Sequence, residues 1–189
     1  MTAMTSADAF IWPLRPMSPD GWTVDDLQLF PDEWRHVELV DGALHVNPPP
    51  VSAHDLAATE MAFLLRGALD REWAVTCPGG IEMDRRNYRT PDVLVRRRSV
   101  GTKKYVEPSD VLLAVEVMSP GSVTEDRVVK PLHYARAGIP HYWRLELDEQ
   151  VLVTYALAGD AYVETGRFDG LVEISEPVTL TFDLSDLLA

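Results

Sequence analysis

Val111-Leu-Leu-Ala-Val-Glu-Val-Met118 decides the fold. Seven of its eight residues are apolar, and a run of this length rich in valine reads as a strand buried on both faces; a half-exposed strand would alternate. Such a strand belongs in the middle of a sheet covered by helices, which makes the chain an α/β (α+β) protein. Its one charged residue, Glu116, lies among Ala114, Val115 and Val117. A lone carboxylate stripped of water is strongly disfavoured, so Glu116 must be protonated, ion-paired or bound to a metal.

Upstream, Pro91 to Arg96 reads as the preceding strand, with Asp92 at its start and Val93, Leu94 and Val95 after it. If the two strands pair, Asp92 and Glu116 converge within one ion's coordination shell, where oxygen ligands stand ~2.0–2.6 Å from magnesium or calcium. The alternative has Asp92 capping a turn and Glu116 paired with an arginine such as Arg89 or Arg136. The joint placement of two acids on adjacent strands favours the site. Trp73 to Cys77 and Ile81 to Asp84 read as further strands, with Gly79-Gly80 as a turn. Ser52, with Asp55 three residues on, starts a helix to about Asp70 that carries Leu56, Phe63, Leu64 and Ala68 toward a core.

Before the triple proline at 48 to 50, His36 to Val40 and Ala43 to Asn47 flank Asp41-Gly42, a two-residue hairpin signal. Glu38 sits in the first of these strands between Val37 and Leu39, facing either the same pocket or water. Thr23, Val24, Asp25 and Asp26 form an N-cap with acids in the first turn of a short helix that Pro31 limits. Residues 1–21, with Pro13, Pro16, Pro19 and Gly21, read as a loose tail, and 22–189 as a single domain.

Downstream of Ser119-Pro120-Gly121 a helix runs from about Thr124 to Ala137, closed by Gly138 and Pro140. Pro131 must fall in its first turn or kink it. Lys130 lies 14 residues beyond Glu116, and its long stem can bring an ammonium back to the strand end. A lysine beside a carboxylate-bound metal orients attacking water and offsets charge developing on phosphorus; the alternative is a solvated helix lysine. His141 to Leu147, Val151 to Leu157 and Ala161 to Phe168 read as strands, with Tyr142 and Trp143 in the core, and the C-terminal part, rich in Thr, Val and acids, reads as an outer β extension of the sheet rather than a second domain.

A hydrophobic fraction of 46% over 189 residues suits one folded unit. No apolar run approaches the ~18 residues that cross a bilayer, and the N-terminus lacks a secretory pattern, so a cytoplasmic protein with no membrane partner is expected. The single cysteine, Cys77, excludes an internal disulfide or a Cys-rich zinc site and reads as a buried small hydrophobe. A net charge of −13 opposes a polyanionic partner. The distribution answers this in part, because Arg85 to Lys104 holds eight Lys/Arg and one acid, Asp92. A solvated surface rim explains the same stretch without a ligand.

The order Pro91-Asp92, Glu116-Val117-Met118-Ser119-Pro120, Asp126, Lys130, Tyr134, Gly138 and Tyr142-Trp143, with Glu38-Leu39-Val40-Asp41-Gly42 and His54 upstream, resembles the Uma-type putative restriction endonuclease family of the PD-(D/E)xK superfamily. The likeness spans about Val24 to Leu147. It implies a restriction-endonuclease-like core, a mixed central sheet flanked by helices with an N-terminal hairpin. It further implies Mg²⁺, or Mn²⁺, held by Asp92 and Glu116, with Glu38 as ligand or base and Lys130 positioning water. In the parent motif a lysine stands two residues after the second acid, where this chain has Met118; the family resembled typically lacks that lysine too, and Lys130 matches the position thought to replace it. His54, at a helix start, is an auxiliary whose other role is capping or packing.

The implied activity is DNA endonuclease hydrolysis of phosphodiesters, with the basic stretch Arg96 to Lys104 bordering the acidic pocket and meeting the phosphate backbone. A homodimer follows from that function, since cutting a duplex needs two sites, and from no signal in the residues. Two other readings stay open. A catalytically inactive nuclease-fold module for binding or assembly is favoured by Met118 and the net charge. A metal-dependent hydrolase of a non-nucleic substrate would have a narrow pocket and no basic rim.

Overall fold

The run from Val111 to Met118 is a strand over its whole length and lies inside a six-stranded sheet. The computed structural model describes residues 16–30, 37–47, 52–102, 105–118 and 124–187. In chain order its first half comprises α1 (Val24–Leu27), the hairpin β1 (Val37–Val40) and β2 (Ala43–Val46), α2 (Ser52–Ala68), β3 (Trp73–Thr76), β4 (Gly80–Asp84) and β5 (Asn87–Arg89). There follow β6 (Val93–Arg97), β7 (Tyr105–Val106), β8 (Val111–Met118), a π turn at Glu125–Val129 and α3 (Lys130–Arg136). The chain ends with β9 (His141–Glu146), β10 (Val151–Ala158), β11 (Ala161–Phe168), β12 (Leu171–Ile174) and β13 (Leu180–Asp183).

The large sheet has the order β11-β10-β9-β8-β6-β3 and is antiparallel except between β8 and β9. A second sheet, β2-β1-β5-β4-β7, carries the N-terminal hairpin, and β12 pairs with β13 alone. Alternation along β8 sends its side chains to two cores. Leu113, Val115 and Val117 pack with Val93, Val95, Trp143 and Leu145 against α2 and the β12–β13 hairpin. Ala114 packs on the other face with Leu94, Tyr142 and the Tyr134 and Ile139 side chains at α3. Both faces of the central strand are thus covered, and Glu116, two residues beyond Ala114, stands on the α3 face.

Local chemistry accounts for the elements that frame this sheet. Thr23 and Asp26 form a reciprocal capping box at α1. Asp41 and Gly42, at φ 50° and 80°, make the two-residue turn of the hairpin. Pro131 falls in the first turn of α3, where its missing N–H is not needed, because the π turn absorbs the change of register before it. Gly138, at φ 79°, ends α3 with two bonds of the Schellman type, Ile139 N–H to Tyr134 O and Gly138 N–H to Ala135 O.

The face of α2 differs from expectation. Ala57, Ala58, Met61 and Leu65 are buried, whereas Leu56 and Phe63 are 42% and 74% exposed, Ala68 is exposed and Leu64 only partly covered. The two alanines let the helix backbone approach the sheet closely, and that contact outweighs burial of the larger side chains one position away. Two strands also went unseen, β5 and β7, at three and two residues too short to show a period. The tail up to residue 15, Pro31, the prolines at 48 to 50 and Ser119-Pro120-Gly121 lie outside the described residues. Among the described residues no helix is long and apolar enough to cross a membrane.

The orientation of α2 has a direct test. Met61→Ala should cost ~2–5 kcal/mol of unfolding free energy in urea, and Phe63→Ala no more than ~0.5 kcal/mol. A reversed order would mean that the helix presents its other face to the sheet.

Candidate metal and catalytic site

β6 and β8 are neighbours, with Val93 opposite Val115 and Leu94 opposite Ala114. The same register sets Asp92 opposite Glu116, and Cα atoms at opposed antiparallel positions stand ~4.5–5.5 Å apart. Asp92 does not extend the ladder through its backbone. Its Oδ2 accepts the Val117 N–H at 2.7 Å, and His54 Nε2, from the first turn of α2, lies 3.3 Å from the same oxygen. Among the described residues no hydrogen bond falls on Oδ1, and the side chain is 23% exposed. Burial draws the His54 pKa down, but the hydrogen bond and charge of Asp92, with Asp55, outweigh it and the pKa is raised. His54 is therefore tied to the site rather than to the helix cap alone.

Glu116 is 1% exposed, and its partner is neither Arg89 nor Arg136. Lys130 Nζ is 2.8 Å from Oε2, and the Tyr134 hydroxyl donates to Oε1 at 2.5 Å. Lys130 also reaches Asp126 Oδ1 at 2.9 Å, so Asp126, Lys130 and Tyr134 line up at four-residue intervals across the π turn and the helix start. The turn is pinned to β9 twice. Tyr142 donates to the Asp126 carbonyl at 2.7 Å, and Arg127 meets Glu146 at 2.5 Å, which also takes Arg144 Nε at 2.6 Å.

Burial pushes the Glu116 carboxyl well above the usual range; Lys130 opposes this, while Asp92, Asp126 and Glu38 add to it. Burial would lower Lys130, but Glu116, Glu38, Asp126 and Asp92 raise it above an ordinary lysine. The carboxylates Glu38, Asp92, Glu116 and Asp126 thus face two firm cations, Lys130 and Arg89, and hold an excess of negative charge. Hard oxygen donors in excess are what Mg²⁺ or Mn²⁺ takes, so the residues fit such an ion. Among the described residues no three His, Cys, Asp or Glu side chains converge on one point. Asp92 and Glu116 would be the protein ligands, with water completing the shell as magnesium prefers.

Glu38 points into the protein, not toward water. It is 1% exposed, with Oε2 on Arg89 Nη1 at 2.9 Å and Oε1 on the Thr90 N–H at 2.7 Å. Both oxygens hold the segment that leads into Asp92, an arrangement suited to bracing that segment. Arg89 extends the brace to His133 Nδ1 at 3.2 Å, where burial and then Arg89 lower the His133 pKa, and to Glu125 at 3.5 Å.

Two expectations are corrected here. The arginines of the basic stretch do not border the pocket. Arg96 lies four residues along β6 from Asp92, ~13 Å at strand rise, and Arg96, Arg97 and Arg98 bond to backbone or ring groups at that far end; Lys103 and Lys104 lie outside the described residues. Cys77 is exposed rather than buried, because it follows the last residue of β3 where the chain turns away. Partial burial and the charges of Asp92 and Asp55 push its thiol pKa up, away from nucleophile chemistry. Tyr142 and Trp143 are core, as expected, and Gly79 is needed where a Cβ would meet Leu94 at 2.6 Å. The roles of Tyr134 and Asp126 were readable from their spacing about Lys130. Nothing in the sequence set Arg89 against Glu38.

A family model described as Uma2, putative restriction endonuclease, matches residues 24–189, which takes in the C-terminal β extension. Four solved chains match the fold; one is a putative nuclease belonging to DUF820 from Anabaena variabilis ATCC 29413, 20% identical over 88% of this chain and 97% of that one, with a TM-score of 0.64. At that identity the likeness shows the shared fold. No curated protein matches.

The buried carboxyl gives the site a pH signature. Its pKa is raised on folding, so the stability it contributes is full below the unfolded value of ~4.3 and is lost as pH rises through the folded value. Glu116→Gln cannot ionise, and its melting temperature should gain on the parent protein's between pH 5 and pH 8. A gap that stays constant or narrows would contradict the assignment.

Proposed function

We propose that this chain, which belongs to the Uma2 family of putative restriction endonucleases, is a Mg²⁺-dependent DNA endonuclease, with Mn²⁺ as an alternative ion. The observation that carries the reading is Glu116: a fully buried carboxylate opposite Asp92, flanked by the only ammonium group on the following helix. Asp92 is held through one oxygen by Val117 N–H and His54, and among the described residues its other oxygen accepts no hydrogen bond. A divalent ion held by Asp92 and Glu116 would supply charge neutralisation at the phosphate and a lowered pKa for water.

The chain's own groups do the rest. Tyr134 fixes the Glu116 rotamer, and Lys130 orients water beside Glu116 and offsets charge developing on phosphorus. Met118 does not break this scheme. Residues 116 and 118 share one face of β8, so a lysine at 118 would flank Glu116, and Lys130 reaches the same carboxylate from α3 at 2.8 Å. Glu38 acts as a positioning residue through Arg89 and Thr90, keeping Asp92 opposite Glu116. On this reading the enzyme works on cytoplasmic DNA, and cutting both strands calls for a homodimer.

Plasmid nicking with Mg²⁺ or Mn²⁺ tests the mechanism. The parent protein should nick supercoiled DNA, and Asp92→Ala and Glu116→Ala should each lower the rate by at least ~10²-fold while retaining the parent's circular dichroism. Equal activity in all three would sink it. A parent protein that binds DNA without nicking it would instead favour the inactive binding module.

A further inference from the structure

The arginines that do not border the acidic pocket gather elsewhere. Arg97, the last residue of β6, and Arg98 after it stand beside Arg66 near the end of α2 and Arg71 just before β3. Arg66, Arg71 and Arg98 line a cavity of about 230 Å³ beside Trp73. Arg98 is spent on the backbone, donating to the Arg71 and Trp73 carbonyls at 2.8 and 2.7 Å, and this shapes the wall. Arg97 lies over the Trp73 ring at 5.1 Å, with Glu72 at 3.9 Å. Arg66 and Arg71 are exposed, and among the described residues neither side chain has a hydrogen bond or ion-pair partner. Four arginines here face two acids, Asp70 and Glu72, a local +2 on a chain whose net charge is −13.

On an acidic protein a local excess of this kind concentrates positive potential where a polyanion can dock. Guanidinium groups bind phosphate oxygens in pairs, and Arg66, Arg71 and Arg98 line one cavity. The place is distinct from the catalytic pocket. From His54 to Arg66 along α2 is twelve residues, ~18 Å at helical rise. We propose that Arg66, Arg71, Arg97 and Arg98 form an anchoring site for a nucleic-acid phosphate backbone at the opposite end of the sheet from Asp92 and Glu116. The site rests on the nucleic-acid substrate of the reading above and adds a second contact to it, one that fixes the substrate outside the scissile phosphate. Guarding of the β3 edge by arginine is the competing explanation, and it requires no affinity for phosphate.

Binding of a fluorescein-labelled 30-base-pair duplex, followed by anisotropy in EDTA, separates the two. Arg66→Ala/Arg71→Ala should weaken binding about tenfold and lower the slope of log Kd against log salt by about 0.9 per lost phosphate contact. Arg85→Ala/Arg167→Ala, which removes the same charge elsewhere on the surface, should leave the slope unchanged. Equal slopes and affinities for the two double variants overturn the site, as does a parent protein with no affinity for the duplex. Plasmid nicking reports on the catalytic reading separately: nicking with unchanged affinity removes only the anchor, and lost affinity without nicking removes only the endonuclease.

Discussion

Everything around the acidic pocket follows from one constraint, that a carboxylate at Glu116 has no water to solvate it. The surrounding strand is apolar because it is the centre of the sheet, so the charge must be met by side chains arriving from other elements. Lys130 and Tyr134 do so from α3. Their arrival fixes where α3 begins, which explains the π turn before it and the tolerance of Pro131 at its start. The ties from Asp126, Arg127 and Tyr142 to β9 hold that turn in register with the parallel β8–β9 pair.

The second acid is positioned by a different logic. Asp92 lies just before β6, where the chain passes from the smaller sheet to the larger one, and Glu38 clamps this crossing by taking Arg89 and the Thr90 N–H. The two sheets thus meet at the pair of acids. Excess negative charge is tolerated there because Lys130 and Arg89 offset part of it, and the remainder is the charge that the proposed divalent ion would neutralise.

Much of this was legible in the sequence because burial leaves a strong signal in strands. The apolar run at 111–118 gave the central strand, Asp41-Gly42 the hairpin, Gly138 the end of α3, and the adjacency of two isolated acids the pocket. What escaped notice depended on contacts between distant residues. Arg89 reads as part of a basic stretch and is instead 1% exposed, because Glu38 lies against it from 51 residues away. The helix α2 misled for the opposite reason, since its close-packing alanines carry less hydrophobic signal than the exposed Phe63. Arg96 to Arg98, expected beside the acidic pocket, stand at the far end of β6. Composition says that arginines cluster, but only the register of β6 against β3 and β8 says where.

The central claim, that Asp92 and Glu116 together hold a divalent ion, is met most directly by a crystal structure grown with Mn²⁺ and phased for its anomalous signal. The account predicts one strong peak ~2.0–2.6 Å from a carboxylate oxygen of each residue, with waters in the remaining positions. A well-ordered pocket with no peak, or Asp92 and Glu116 carboxylates more than ~8 Å apart and beyond the reach of one ion's shell, would contradict it.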